Sequence, residues 1–179
     1  MNDNNTDILW WNAFKDGDRQ AFDNLFRRYY PVLLQYGMRI TTDKELINDS
    51  IQDLFIELWQ SRSSTSVQSV KAYLLKALKY KLFRQFRSNS TTQTTEGDIE
   101  NHFELSHDQF IMAREDEAAM VKKMVAAINQ LPNRQKEIIY LKIYQGLNYE
   151  ELSEVMGINY QVARNLFYQS IKSLRQILQ

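Results

Sequence analysis

From Ala21 to Tyr36 the residues Phe22, Leu25, Phe26, Tyr29, Leu33 and Tyr36 recur at intervals of three and four, the spacing of one apolar face on an α-helix. Pro31 falls inside that run and predicts a bend or an interruption, because it has no amide proton to donate. A second helix is expected from about Lys44 to Gln60, with Ile47, Ile51, Leu54 and Leu58 forming one stripe. The third is KAYLLKALKYKLFRQFR at 71–87, in which Leu74, Leu75, Leu78, Leu82 and Phe86 share a face. Between the last two, SRSSTSVQS at 61–69 reads as a loop, since clustered hydroxyls compete for backbone hydrogen bonds.

Helical periodicity returns at about Met112 and runs through Met120, Met124, Ala127 and Ile128 to Gln130, where LPNRQ breaks it. Another helix follows to about Tyr144. Next, Asn148 is placed to cap a helix whose Glu151 reaches back in a capping box, with Leu147 and Leu152 as a hydrophobic staple. Met156, Gly157, Ile158 and Asn159 supply a helix end, a residue tolerant of positive φ, an apolar plug and a fresh cap. So short a turn makes two helices cross, which is a helix-turn-helix. No internal repeat and no sustained strand-like alternation occurs, so the expected class is all-α.

Composition agrees with that class: 44% of the 179 residues are hydrophobic, and five glycines and two prolines leave few tight turns. Without cysteine, disulfides, thiolate metal sites and thiol nucleophiles are excluded, and a cytoplasmic address fits. The start, MNDNNTDILWWNAF, lacks the basic and long apolar runs of an export signal, and no stretch suggests membrane insertion. After Arg87, SNSTTQTTEGDIENHFELSHDQ is polar and then acidic, with too little apolar material to fold alone. The expected organisation is therefore two small helical domains, 7–88 and 112–179, joined by a flexible acidic linker at 89–111.

Net charge is zero, but the charges are sorted along the chain. Residues 61–88 carry seven basic and no acidic side chains, whereas 96–117 carry eight acidic and one basic. A basic block beside an acidic one suggests a polyanion-binding face beside a solvated connector. On the third helix, opposite the leucines, Tyr73, Lys76, Tyr80, Phe83, Arg84 and Arg87 interleave cations with rings. Rings stack unpaired bases while lysines and arginines follow the phosphates, so this face suits DNA whose strands are parting. The competing expectation is that the rings pack on a neighbouring helix, above all Tyr73 and Phe83.

The second helix presents Asp49, Gln52, Asp53 and Ile56 opposite its apolar stripe, with Trp59 at the edge. Such a patch would repel DNA and suit a protein surface, although an ordinary solvated face has a similar composition. On the last helix, Ala163, Leu166, Phe167, Ser170, Leu174, Ile177 and Leu178 gather on the core side. Gln161, Arg164, Asn165, Tyr168, Lys172 and Arg175 occupy the other arc, a set suited to base edges and phosphates in a major groove. Every soluble helix has a polar arc; the coincidence of cap, staple, glycine turn and amides is what marks this one.

In this order, these surfaces resemble the RNA polymerase sigma factors of the sigma-70 superfamily, in particular the extracytoplasmic-function (ECF) group. AFDNLFRRYYPVLLQY is similar to the family's region 2.1, DSIQDLFIELW to region 2.2, and KAYLLKALKYKLFRQFR to regions 2.3 and 2.4. LPNRQKEIIYLKIYQGLNYEELSEVMGIN with the last helix resembles region 4. The resemblance implies a specificity subunit that binds core polymerase, reads minus-35 and minus-ten promoter DNA, and helps open the latter. It implies polymerase-binding roles for Asp49, Gln52, Asp53, Phe55, Ile56 and Trp59. Minus-ten contacts are expected from Ser63, Ser64, Tyr73, Lys76, Lys79, Tyr80, Phe83, Arg84 and Arg87, the serines lying in the loop that captures a flipped non-template base. Minus-35 contacts are expected from Asn159, Tyr160, Gln161, Arg164, Asn165, Tyr168, Lys172 and Arg175, and an anti-sigma factor is an expected partner.

The chain departs from the family where Tyr80 replaces a common asparagine, and where Leu166, Gln169 and Ile171 stand at recognition-helix positions that are often basic. A one-component regulator that binds duplex operator without polymerase is the alternative, though its sensor domain would have no use for a basic aromatic face. Enzyme chemistry has little footing. His102 and His107 are spaced off a common helical face and lack further ligands nearby, so no catalytic residue, cofactor or metal site is expected.

Overall fold

The computed structural model describes residues 3–61, 66–89, 103–105 and 115–179. All regular elements among them are helical, and they fall into two compact units, Met1–Thr94 and Thr95–Gln179. None of the described helices is long and apolar enough to cross a membrane.

The first unit contains α1 (Asp3–Lys15), α2 (Arg19–Ile40), α3 (Lys44–Ser61) and α4 (Val70–Asn89). The starts of α2, α3 and α4 each have a sequence cause. Asp18 accepts hydrogen bonds from the amides of Gln20 and Ala21 at 2.8 and 3.2 Å, Asp43 from Leu46 at 3.0 Å, and Ser69 from Ala72 at 3.2 Å. Helix α2 packs against the other three. Leu25, Leu33 and Tyr36 of α2, Ile47 and Ile51 of α3, and Leu74, Leu75, Leu78 and Leu82 of α4 are buried together in the core. Pro31 does not interrupt α2: it sits on the exposed side, so no buried carbonyl is left without its partner.

Helix α1 was not anticipated from periodicity. Trp11 and Phe14 bury its inner face, and their rings meet edge-on at 5.5 Å. Asp7, buried, ties it to α2: Arg28 Nη1 donates to one carboxylate oxygen at 2.6 Å and the Tyr29 hydroxyl to the other at 2.5 Å. A buried carboxylate is tolerable here because both of its oxygens are engaged, one by a cation.

The second unit contains α5 (Glu115–Asn129), α6 (Asn133–Ile139) with a π-helical turn over Tyr140–Tyr144, α7 (Tyr149–Met156) and α8 (Tyr160–Leu178). The capping box is present in full. Glu151 N donates to Asn148 Oδ1 at 2.9 Å, and Asn148 N donates to Glu151 Oε2 at 2.8 Å. Leu147 and Leu152 are buried beneath it, and Gly157 adopts φ 62°, which ends α7 in the left-handed region. Asn159 Oδ1 then accepts from Val162 N at 2.8 Å and starts α8.

Phe103 and Leu105, inside the stretch expected to be linker, are buried in this unit. Phe103 lies edge-on to Tyr140 at 5.7 Å. The Asn129 side chain grips the backbone of Leu105 from both sides, accepting from its amide at 3.0 Å and donating to its carbonyl at 2.8 Å.

Candidate nucleic-acid interface

Helix α4 divides as its pattern requires. Leu74, Leu75, Leu78 and Leu82 take the core side, which turns Tyr80 outward to 63% exposure, with Arg84 and Arg87 exposed beyond it. Lys76, Lys79 and Phe83 are half-buried, and the Lys79 ammonium lies 5.6 Å from the centre of the Phe83 ring. Tyr73 goes the other way, lying edge-on to the buried Trp11 at 5.2 Å, so this ring packs on a neighbouring helix. Lys81 is engaged with Glu57 of α3 at 2.6 Å. The exposed part of the face is therefore Tyr80, Arg84 and Arg87, with Lys76 half-buried beside them. Ser63 and Ser64 lie outside the described residues.

On α3, Asp49, Gln52, Asp53 and Ile56 are exposed, Ile56 to 52%. Trp59 is half-buried, 5.1 Å from Phe22 between ring centres. Phe55 differs from these neighbours: it is buried, edge-on to Phe26 at 4.9 Å and to Phe22 at 5.7 Å. Phe22, Phe26, Phe55, Ile56 and Trp59, with the amides of Gln52 and Gln60, line a groove of about 370 Å³ between α2 and α3. Phe22 and Phe26 are functional candidates that the sequence places only on the apolar face of α2. Nothing in the three-and-four spacing separates a ring that fills the core from one that walls a groove beside it.

On α8, Ala163, Ser170 and Leu174 are buried, whereas Gln161, Arg164, Asn165, Tyr168, Lys172 and Arg175 are all exposed, Tyr168 to 72%. At ~100° per residue, Gln161, Asn165, Tyr168 and Lys172 form a ridge roughly opposite the buried set. Arg164 and Arg175 stand on one flank. Arg164 lies 5.9 Å from the centre of the Tyr160 ring, and Gln161 Nε2 donates to Asn165 Oδ1 at 3.1 Å. Asn159 is already engaged as the helix cap, so its side-chain oxygen serves the backbone first.

No cluster of metal-binding side chains occurs among the described residues, and His102 and His107 lie outside them. The arrangement offers contact surfaces: acidic and apolar on α3, basic and aromatic on α4, amide-rich with flanking cations on α8.

Residues 25–92 match the family described as Sigma-70 region 2, and residues 122–174 the one described as Sigma-70, region 4. The chain is 24% identical over 142 residues to the RNA polymerase sigma factor YlaC of Bacillus subtilis, covering 78% of this chain and 81% of that one. To the ECF RNA polymerase sigma factor SigM of the same organism it is 18% identical over 157 residues, covering 88% and 94%. Its fold is similar to that of the sigma factor RpoE of Bartonella quintana, solved with the anti-sigma factor NepR, at a TM-score of 0.61 and 18% identity over 88% of this chain and 96% of that one.

Proposed function

The chain belongs to the sigma-70 family of RNA polymerase sigma factors, in its extracytoplasmic-function group, and from that membership we propose how its surfaces divide the work of promoter-specific initiation. The first unit binds core polymerase through α3 and opens the minus-ten element on α4; the second reads the minus-35 element with α8. The observation that carries this division is the order of the two matched segments. The region 2 match spans the acidic α3 face and the basic α4 face, and the region 4 match spans the helix-turn-helix.

On α3, Asp49 and Asp53 repel a phosphate backbone, so the groove beside them takes protein, with Ile56 and Trp59 as apolar contacts and Phe55 as its floor. On α4, Tyr80 supplies a stacking face for an unpaired base, worth about 1–3 kcal/mol, while Lys76, Lys79, Arg84 and Arg87 follow the strand. That range compares with the few kcal/mol needed to flip a base out of the duplex, the step in which Ser63 and Ser64 take part. Phe83 supports Lys79, and Tyr73 acts from behind by holding α4 on Trp11. On α8, Gln161, Asn165 and Tyr168 face base edges, and Tyr160, Arg164, Lys172 and Arg175 face phosphates. Because one chain carries both units, the second DNA contact is effectively intramolecular once the first is made. Restraint by an anti-sigma factor is the regulation expected of this chain, as the sigma factor RpoE of Bartonella quintana was solved with the anti-sigma factor NepR. The one-component regulator is not favoured, since residues 25–92 carry a sigma-70 region 2 segment rather than a sensor.

Run-off transcription with core polymerase and a promoter library tests this reading. Addition of the protein is expected to redirect initiation to a discrete promoter class, and a Lys76→Ala/Tyr80→Ala variant to bind polymerase normally but open promoters at least tenfold more slowly. Failure of the wild-type chain to associate with polymerase would sink the assignment.

A further inference from the structure

The ridge of α8 carries two amides whose mutual hydrogen bond limits what each has left to offer. Gln161 Nε2 donates to Asn165 Oδ1 at 3.1 Å, one helical turn apart. An amide side chain has two N–H donors and one carbonyl acceptor. With one N–H spent on Asn165, Gln161 keeps one donor and its Oε1 in the amide plane. That pair is complementary to the adenine edge in the major groove, which presents an acceptor at N7 and a donor at N6. A guanine edge, with acceptors at both N7 and O6, would leave Oε1 facing another acceptor.

Position supports the same assignment. Gln161 is exposed in the first turn of α8 on the ridge roughly opposite the buried Ala163 and Ser170, and in docked helix-turn-helix proteins the first turns of the recognition helix meet base edges. Arg164, the first cation after that turn, is turned to the flank beside Tyr160 and is placed for phosphate. Asn159 is engaged by Val162 N. Of the exposed first-turn residues Tyr160, Gln161 and Val162, Gln161 is the one with an amide, and its bond to Asn165 holds that amide on the ridge.

Resting on the proposed role of α8, we propose that Gln161 reads an adenine in the minus-35 element and that Asn165 is the positioning residue that orients its amide. The bond to Asn165 also restrains a long side chain that otherwise loses rotamer entropy on docking.

The experiment is run-off transcription by core polymerase with the full-length chain, on promoters randomised through the minus-35 element and sequenced from the products. Wild type is expected to prefer adenine at one position there by about tenfold or more. Gln161→Ala flattens that position and leaves the others as they were. Gln161→Glu replaces the donor with a second acceptor and moves the preference to cytosine, whose N4 amino group donates. Asn165→Ala weakens the adenine preference several-fold, and Asn165→Asp, which retains an acceptor for Gln161, restores it at lower overall affinity. An adenine preference that survives Gln161→Ala overturns the inference, as does a wild-type profile with no adenine position. If the wild-type chain directs no initiation at all, the proposed function falls and takes this inference with it; initiation with an unaltered base profile removes only the inference.

Discussion

At Gly37 of α2 an added Cβ would stand 2.6 Å from Ile47 Cγ2 and 3.2 Å from Ile47 Cγ1. Ile47 is fully buried in α3, so it has no free volume into which to retreat, and the helices must part. Gly37→Ala gains up to about 1 kcal/mol of helix propensity but meets overpacking of about 1–3 kcal/mol. The expected net result is a lower denaturation midpoint in urea; a raised midpoint would mean that α2 and α3 separate without cost. Lys136 of α6 shows the opposite balance, a cation held where burial penalises its charge. Only 6% of it is exposed; burial lowers its pKa from 10.5, and the nearby Glu104 carboxylate draws it partly back. The folded state releases this proton at a lower pH than the unfolded chain does. Stability therefore rises with pH between the lowered value and 10.5, and the penalty stands in full below that window. Lys136→Met is expected to stabilise the protein at pH 7 by on the order of 1 kcal/mol. Its advantage in thermal melting should shrink as the pH approaches 10.5.

At the scale of elements, the second unit follows from local rules. Asn148, Glu151, Gly157 and Asn159 each occupy the backbone position that their chemistry favours, and α7 and α8 begin and end where those residues fall. Asn148→Ala removes the acceptor for the Glu151 amide and is expected to lose about 1 kcal/mol, read as faster hydrogen exchange at that amide and an earlier denaturation midpoint. The periodic helices α2, α3 and α4 were equally legible, and so was the outward face of α4, because leucines at 74, 75, 78 and 82 leave Tyr80 no inward position. What could not be read depends on partners distant in sequence. Helix α1 opens with DNNTD and shows a weak apolar rhythm; its place is fixed by Asp7 meeting Arg28 and Tyr29 of α2. The groove on α2 and α3 depends on which rings of a continuous stripe stop short of the core. For Tyr73 the sequence leaves two readings, the basic face or packing on a neighbouring helix, and the Trp11 ring of α1 decides for the second.

For the whole molecule, composition located a polar, acidic stretch between two helical units but gave no sign that part of it packs. Two apolar side chains in FEL are too few to register as an element, yet Phe103 and Leu105 are 4% and 3% exposed. Their anchor is Asn129, 24 residues beyond Leu105, whose side-chain amide pairs with the Leu105 backbone as a strand would. The FEL segment is therefore held on the second unit by the Asn129 amide and by the packing of Phe103 on Tyr140. Asn129→Ala removes both hydrogen bonds, worth about 1–2 kcal/mol together, and should raise the released population roughly five- to thirtyfold. Chymotrypsin reports it, since cleavage after Phe103 requires that ring to leave the Tyr140 contact and tracks the open population when closing is fast. The expected outcome is faster cleavage at Phe103 with cleavage at Phe167 of α8 unchanged, which separates release of the segment from unfolding of the unit. Equal acceleration at both positions would show that Asn129 supports the unit as a whole, and no acceleration at Phe103 would show that the two rings hold the segment without the amide.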